Sequence, residues 1–153
     1  MNMDNPARVV YGRDTRASGS RLVGILNDAL TVTQAEFQDM KFATTPQLHY
    51  VVRCKNTIGT QYEYGEPSEQ GYYEKLGGAF GRAMKATKVK GGLTVDCANG
   101  VGGPKLRELI NYLPGRDAGS GGGGLDIKVV NDDVINPDKL NFEVSLCREG
   151  SAF

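Results

Sequence analysis

The chain has 153 residues, 39% of them apolar, which is enough to bury the core of one domain or of parts of two. Its 18 basic and 18 acidic residues cancel, so no general field draws the chain toward nucleic acid or an anionic membrane surface. Three cysteines and one histidine fit neither a disulfide framework nor a zinc site, and without a signal-peptide-like apolar run we expect a cytoplasmic protein with free thiols.

The opening of the sequence predicts a strand, a loop and a helix. Residues 8–11 are β-branched and aromatic, and Gly12 follows them at once, which predicts a strand that ends in a turn. Ser18 is then predicted to cap a helix. The apolar residues that recur at helical spacing in it are Leu22, Ile25, Leu26, Ala29 and Leu30.

A second strand and helix are predicted next, followed by a boundary. The strand lies near residues 37–42, and Pro46 suits the first turn of a helix that runs toward Arg53. Residues 55–67 show no periodicity, which predicts a join between two structural units. We therefore divide the chain into residues 1–57, residues 58–143 and a tail of residues 144–153.

A third helix is predicted to begin near Ser68 and Glu69, since an acidic residue suits a helix N-terminus. Its predicted apolar face consists of Tyr73, Leu76, Phe80 and either Ala83 or Met84. The glycines in this helix weaken it but would allow a neighbour to approach closely; they are Gly77, Gly78 and Gly81.

The rest of the second unit again reads as strand, turn, helix and strand. Residues 93–97 predict a strand, and the Asn99-Gly100 turn leads to a helix from Pro104. Residues 114–124 are rich in glycine and predict a flexible surface loop. The alternation in residues 125–130 predicts a further strand.

The loop after the first strand holds the clearest candidate for phosphate contact. Arg13 and Arg16 place two guanidinium groups beside the carboxylate of Asp14, and guanidinium forks match the geometry of phosphate. The alternative is structural, because Asp14 could pair with an arginine and cap the following backbone. The sequence leaves both readings open.

Other polar groups favour structural roles. Residues 96–103 form a glycine-bearing turn that could cradle an anion, but they lack both the P-loop ending and the dinucleotide spacing, so a tight turn is favoured. His49 and Cys97 have no evident chemical partner, and we assign neither a catalytic role. Asp132 and Asp133 have no third ligand at useful spacing, which favours a solvated turn over a cation site.

Five segments, taken in order, resemble the phosphoacetylglucosamine mutase family of the α-D-phosphohexomutase superfamily. They contain Gly-Arg-Asp-Thr-Arg, Thr-Thr-Pro-Gln-Leu-His-Tyr, Tyr-Tyr-Glu-Lys-Leu, Asp-Cys-Ala-Asn-Gly-Val-Gly and Asn-Pro-Asp-Lys-Leu-Asn, within residues 9–16, 44–50, 72–76, 95–102 and 136–141. The resemblance implies an α/β fold with mixed sheets. In this view residues 1–57 are the C-terminal part of the family's first domain, residues 58–143 are the N-terminal part of its second, and the tail diverges.

The resemblance also implies an activity and its requirements. The family moves phosphate between the 6- and 1-positions of N-acetylglucosamine phosphate, with a phosphoserine, Mg²⁺ and a sugar bisphosphate intermediate, and feeds UDP-N-acetylglucosamine synthesis. The family's phosphoserine and metal loops have no counterpart in this sequence. We therefore expect no catalytic serine and no Mg²⁺ site in this chain, and little activity from it alone.

By the same resemblance Arg13, Asp14 and Arg16 lie near the phosphoserine loop, so they are the site residues that we carry over. The alternative to part of an enzyme is a noncatalytic phosphosugar-binding module or a structural remnant. Neither reading includes a nucleic-acid or membrane partner.

Overall fold

The computed structural model describes residues 7–84, 92–114, 125–134 and 146–148, and these ranges hold four helices and five strands. None of the helices in these ranges is both long and apolar enough to cross a bilayer. In chain order the elements are β1 (Arg8–Arg13), α1 (Gly19–Val32), β2 (Glu36–Phe42), α2 (Thr45–Thr57), α3 (Glu69–Met84), β3 (Gly92–Asp96), α4 (Gly102–Ile110), β4 (Asp126–Val130) and β5 (Leu146–Arg148).

The first unit is a two-stranded parallel sheet with a helix associated with each face. β1 and β2 pair in parallel, and α1 connects them. Because successive side chains alternate between faces, Val10 and Met40 point toward α2, while Tyr11 points toward α1 and hydrogen-bonds Asn27 there. The sheet thus holds α1 and α2 apart and places the end of β1 between them.

The second unit is a mixed three-stranded sheet. β3 and β4 pair in parallel, and α4 connects them along the chain. β5 pairs antiparallel to the other edge of β3, so the strand order is β4-β3-β5. The predicted α/β fold with mixed sheets is confirmed. β5 lies inside the predicted tail of residues 144–153, which therefore contributes a strand to this sheet.

The apolar core lies where α2 meets α3. Tyr50, Val51 and Cys54 of α2 are buried, and Tyr72 of α3 packs against them. Tyr64, in the connection between the two helices, packs there as well. Contacts thus join residues on both sides of the predicted division between residues 1–57 and 58–143, and the division itself stays a prediction.

Two local predictions for the first unit are wrong, and the predicted helix from Pro46 is longer than its stated course toward Arg53. The first strand does not end in a turn at Gly12 but continues to Arg13, and a Cβ at Gly12 would lie 2.9 Å from the Cβ of Ala43, so this glycine permits close packing. Ser18 occupies the N-cap position of α1, but its side chain makes no capping hydrogen bond. The second helix runs past Arg53 to Thr57.

Not all of the apolar residues that recur at helical spacing in α1 are buried. Leu22 is 53% exposed and Ile25 is 55% exposed. The helical spacing identified the helix correctly, but the described residues leave much of its apolar face uncovered. Exposed apolar area of this kind costs solubility.

The packing of α3 depends on its glycines rather than on its leucine. Tyr73 is buried as predicted, whereas Leu76 is 39% exposed. Gly77 meets the backbone of Tyr112, and Gly81 meets Pro114, as their missing side chains were expected to allow. Gly78 faces away from these contacts.

Smaller differences concern where two elements begin, and two predicted segments lie outside the described residues. α4 begins at Gly102, two residues before Pro104, and β4 begins one residue after the predicted start. The glycine-rich segment from residue 115 to 124 and the 136–141 motif lie outside the described residues.

Candidate functional site

The loop after β1 is held by its own carboxylate. One oxygen of Asp14 accepts a hydrogen bond from the backbone N–H of Arg16 at 3.0 Å, and the other pairs with the Arg16 guanidinium at 3.0 Å. This is the geometry of the structural alternative stated above. The Arg16 side chain remains more than half exposed, so a ligand could reach it.

Arg13 is positioned by packing instead of by Asp14. Its guanidinium carbon lies 4.3 Å from the centre of the Phe42 ring, a cation–π distance. Its side-chain Cδ would lie 3.4 Å from a Cβ at Gly19, so the start of α1 leaves room for it. The backbone carbonyl of Arg13 accepts a hydrogen bond from Ala43, which ties the loop to the end of β2.

A pocket of about 330 Å³ opens beside this loop at the N-terminus of α1. Its polar lining includes Arg13, Asp14, Arg16 and Ser18, and its apolar wall is the first turns of α1. Two guanidinium groups and one carboxylate leave one positive charge in excess. The sequence-predicted site residues are therefore brought together beside a space that can take a small anionic group.

Thr15, between the predicted site residues, has an unusual hydroxyl. The residue is only 9% exposed, and its Oγ1 has no hydrogen-bond partner among the described residues. Buried hydroxyls are normally paired. The motif in residues 9–16 contains this threonine, but its residue type and spacing did not predict that its hydroxyl would be buried, because burial depends on the tertiary fold.

The 96–103 turn is built from internal hydrogen bonds. Asp96 accepts from the backbone N–H of Ala98 at 2.8 Å and from the Asn131 side chain at 2.8 Å. Asn99 has a φ of 53° and accepts from the backbone N–H of Asp133 at 3.0 Å. These bonds lock together the ends of β3 and β4, which favours the tight structural turn over an anion cradle.

The remaining candidates take structural positions. Asp132 forms an ion pair with Arg107, whose hydrogen bond holds the pKa of Asp132 below its usual value. Burial raises the pKa of the buried Cys97 thiol, and the negative charges of Asp132 and Asp96 raise it further, so the thiol stays protonated at neutral pH.

His49 is exposed on α2. Among residues 7–84, 92–114 and 125–134, no group of three or more acidic, histidine or cysteine side chains could hold a metal ion, so these residues do not fit a magnesium site.

Comparison with known proteins identifies relatives of one kind. No protein-family model matches the sequence. A phosphoacetylglucosamine mutase 2 of Schizosaccharomyces pombe is 39% identical over 135 residues, which are 88% of this chain and 24% of that protein. The phosphoacetylglucosamine mutase of Sus scrofa is 43% identical over 136 residues, which are 86% of this chain and 23% of that protein. The chain thus spans about a quarter of the length of the curated relatives it matches.

Solved structures give the same answer. An N-acetylphosphoglucosamine mutase of Aspergillus fumigatus, in complex with GlcNAc-6P and magnesium, is 76% identical with a TM-score of 0.82, over 92% of this chain and 27% of that one. An N-acetylglucosamine-phosphate mutase of the α-D-phosphohexomutase superfamily is 37% identical with a TM-score of 0.72, over 90% of this chain and 27% of that one. The predicted resemblance is therefore confirmed, and the fold corresponds to part of a phosphohexomutase.

Proposed function

We propose that this chain forms part of an isomerase that interconverts N-acetylglucosamine 6-phosphate and 1-phosphate. The chain is homologous to a segment that makes up about a quarter of the length of the phosphoacetylglucosamine mutases. The observation that carries the proposal is the Gly-Arg-Asp-Thr-Arg loop and its adjoining pocket, in a chain 76% identical to a mutase crystallised with GlcNAc-6P. In this role the chain is cytoplasmic and serves the synthesis of UDP-N-acetylglucosamine. Its partner is a sugar phosphate.

Within that enzyme the described residues act by binding and orientation. Arg13, fixed over Phe42, and Arg16, fixed by Asp14, would hold phosphate oxygens at the start of α1, where helix N–H groups also favour negative charge. Phosphoryl transfer depends mainly on such positioning and on stabilising the charge of the transferred group. A magnesium ion and a phosphoserine supplied by the rest of the enzyme would neutralise that charge and carry the phosphoryl group.

The role of the two arginines can be tested by binding. Arg13→Ala and Arg16→Ala should each weaken binding of N-acetylglucosamine 6-phosphate to the chain by about tenfold or more, because a hydrogen bond to a charged group contributes about 1.5–3 kcal/mol. Binding would be measured by NMR chemical-shift titration. Circular dichroism would check that each variant keeps its helices.

Arg8→Ala is the matched control. It removes the same charge from the same strand, but Arg8 pairs with Glu36 and lies outside the pocket lining. Its affinity should equal that of the unmodified chain. Equal losses in Arg8→Ala and Arg13→Ala would contradict a specific site, and saturable binding by a chain that shows no turnover in any longer context would favour the noncatalytic binding module.

A further inference from the structure

A chain of hydrogen bonds crosses the molecule from α2 to α4. The side-chain carbonyl of Gln47 accepts from the backbone N–H of Thr44 at 2.8 Å, and the Gln47 amide donates to the Tyr73 hydroxyl at 3.0 Å. Tyr73 in turn donates to a carboxylate oxygen of Glu69. From the other side, the Lys105 ammonium donates to both Glu69 oxygens, at 2.7 and 2.8 Å. We call these five residues the Glu69 network.

The donors of the network all point the same way, and its Gln47–Tyr73 end is buried. Every donor points toward Glu69, so each bond polarises the next and strengthens it. Gln47 is 1% exposed and Tyr73 is 2% exposed, so the bond between them lies in a medium where electrostatic interactions are stronger than in water, whereas the side chains of Lys105 and Glu69 are 19% and 33% exposed and their bonds are partly solvated. Loss of one member would leave buried polar groups without partners.

Both ends of the network adjoin the loops described above. Thr44 directly follows Ala43, whose backbone N–H donates to the carbonyl of Arg13 at 3.2 Å. Lys105 lies in the first turns of α4, directly after the turn that closes on Asp96. The network therefore runs between the candidate phosphate loop and the turn at the end of β3.

We propose that the Glu69 network is an acid-sensitive joint that fixes α2 and α4 on α3, and thereby positions the Arg13 loop relative to the turn after β3. Gln47, Tyr73, Glu69 and Lys105 are positioning residues in this joint. Deprotonated Glu69 accepts hydrogen bonds from Tyr73 on one side and from Lys105 on the other, which holds the joint closed. Protonated Glu69 loses its attraction for Lys105 and competes as a donor with Tyr73, which opens it.

The pH range follows from the groups that face Glu69. Burial raises the pKa of Glu69, but the hydrogen bonds from Lys105 and Tyr73, together with the positive charge of Lys105, outweigh burial and hold it below its usual value. Glu108 of α4 also acts on Tyr73, whose pKa is raised by burial and by Glu69. A carboxyl with a lowered pKa stabilises the fold above its unfolded-state pKa and loses that effect as pH falls through the folded-state value. The joint is thus closed at neutral pH and opens only in acid.

An NMR pH titration of the chain tests this device. The backbone amide of Thr44 should change its shift with the same acid midpoint as the Glu69 carboxyl carbon, although two side chains separate them. In Tyr73→Phe, which removes only the linking hydroxyl, the Thr44 amide should no longer follow Glu69. In Gln70→Ala, which removes an exposed donor to Glu74 on the same helix, it should follow as before.

A second variant keeps the test decisive if Tyr73→Phe does not fold. Lys105→Gln removes the ammonium group at the far end, so the midpoints of Glu69 and of Thr44 should both rise, together. The proposal is overturned if the Thr44 amide of the unmodified chain does not titrate with Glu69, if it titrates equally in Tyr73→Phe, or if the two midpoints separate in Lys105→Gln.

Discussion

The isolated chain is expected to interconvert the two N-acetylglucosamine phosphates on the order of a thousandfold or more slowly than a complete enzyme. The chain spans 27% of the A. fumigatus N-acetylphosphoglucosamine mutase that it matches, and phosphoryl transfer needs a nucleophile, a cation and several phosphate contacts held in one geometry. Arg13 and Arg16 can supply only some of these contacts. Turnover would be measured with magnesium and a sugar bisphosphate activator.

The A. fumigatus enzyme, assayed in parallel, is the control for that measurement. Both proteins should be compared at equal concentration, and circular dichroism should show that the isolated chain contains helices. Turnover by the isolated chain within about tenfold of the complete enzyme would contradict the proposal, because it would mean that a quarter of the family's length holds the whole catalytic machinery.

Gly77→Ala is expected to destabilise the fold by about 1–2 kcal/mol, the overpacking cost less the gain in helix propensity. A Cβ at Gly77 would lie 2.3 Å from the carbonyl oxygen of Tyr112, a backbone atom that cannot move without shifting the end of α4. The helix-propensity gain from replacing glycine with alanine, about 0.5–1 kcal/mol, is too small to offset that clash. The free energy of unfolding in urea measures the difference.

Gly78→Ala provides the matched control for this prediction. It makes the same change one residue further along α3, where the nearest atom to a new Cβ is a flexible Arg82 nitrogen at 3.6 Å. This variant should be more stable than the unmodified chain by about 0.5–1 kcal/mol, from helix propensity alone. Equal free energies of unfolding for the two variants would show that α3 does not pack on Tyr112 as described.

Local patterns predicted the order of the elements well. The β-branched run before Gly12, the helical spacing from Leu22 and the alternation in residues 125–130 each correspond to an observed strand or helix. Pro46 marked the first turn of α2, where Thr44 and Gln47 form a capping box that the sequence analysis did not predict. These features depend on neighbours within a few residues, which is why sequence periodicity detects them.

The burial of side chains and their packing and hydrogen-bond partners were harder to predict, because they depend on distant parts of the chain. The spacing of Leu22 and Ile25 predicts an apolar face but not whether anything covers it. Gly77 carries no side chain, so no hydrophobic pattern predicts that it lies against Tyr112. The Glu69 network joins residues 26 and 36 positions apart, and the sequence pattern that placed Tyr73 on an apolar helix face could not predict these hydrogen-bond partners.

The residues of the candidate site lie together in the structure, and their role stays a prediction. Arg13, Asp14 and Arg16 were selected from a strand-end loop and a family resemblance, and they do line one pocket. The Asp14–Arg16 pair was predicted as an alternative to phosphate contact. The pair orients Arg16 and leaves its side chain more than half exposed. The cation–π contact of Arg13 with Phe42 could not be predicted, and neither could the lack of a partner for the Thr15 hydroxyl within the described part of the chain, since both arise from the fold.

The most direct measurement of the central claim uses a chimera. In the A. fumigatus enzyme, the segment that matches this chain would be replaced by the chain's own residues, and turnover of N-acetylglucosamine 6-phosphate would be measured. Since the two sequences are 76% identical there, the chimera should keep activity within about tenfold of the parent, and Arg13→Ala in it should lower that activity. A folded chimera without turnover would contradict the assignment of this chain to a phosphoacetylglucosamine mutase.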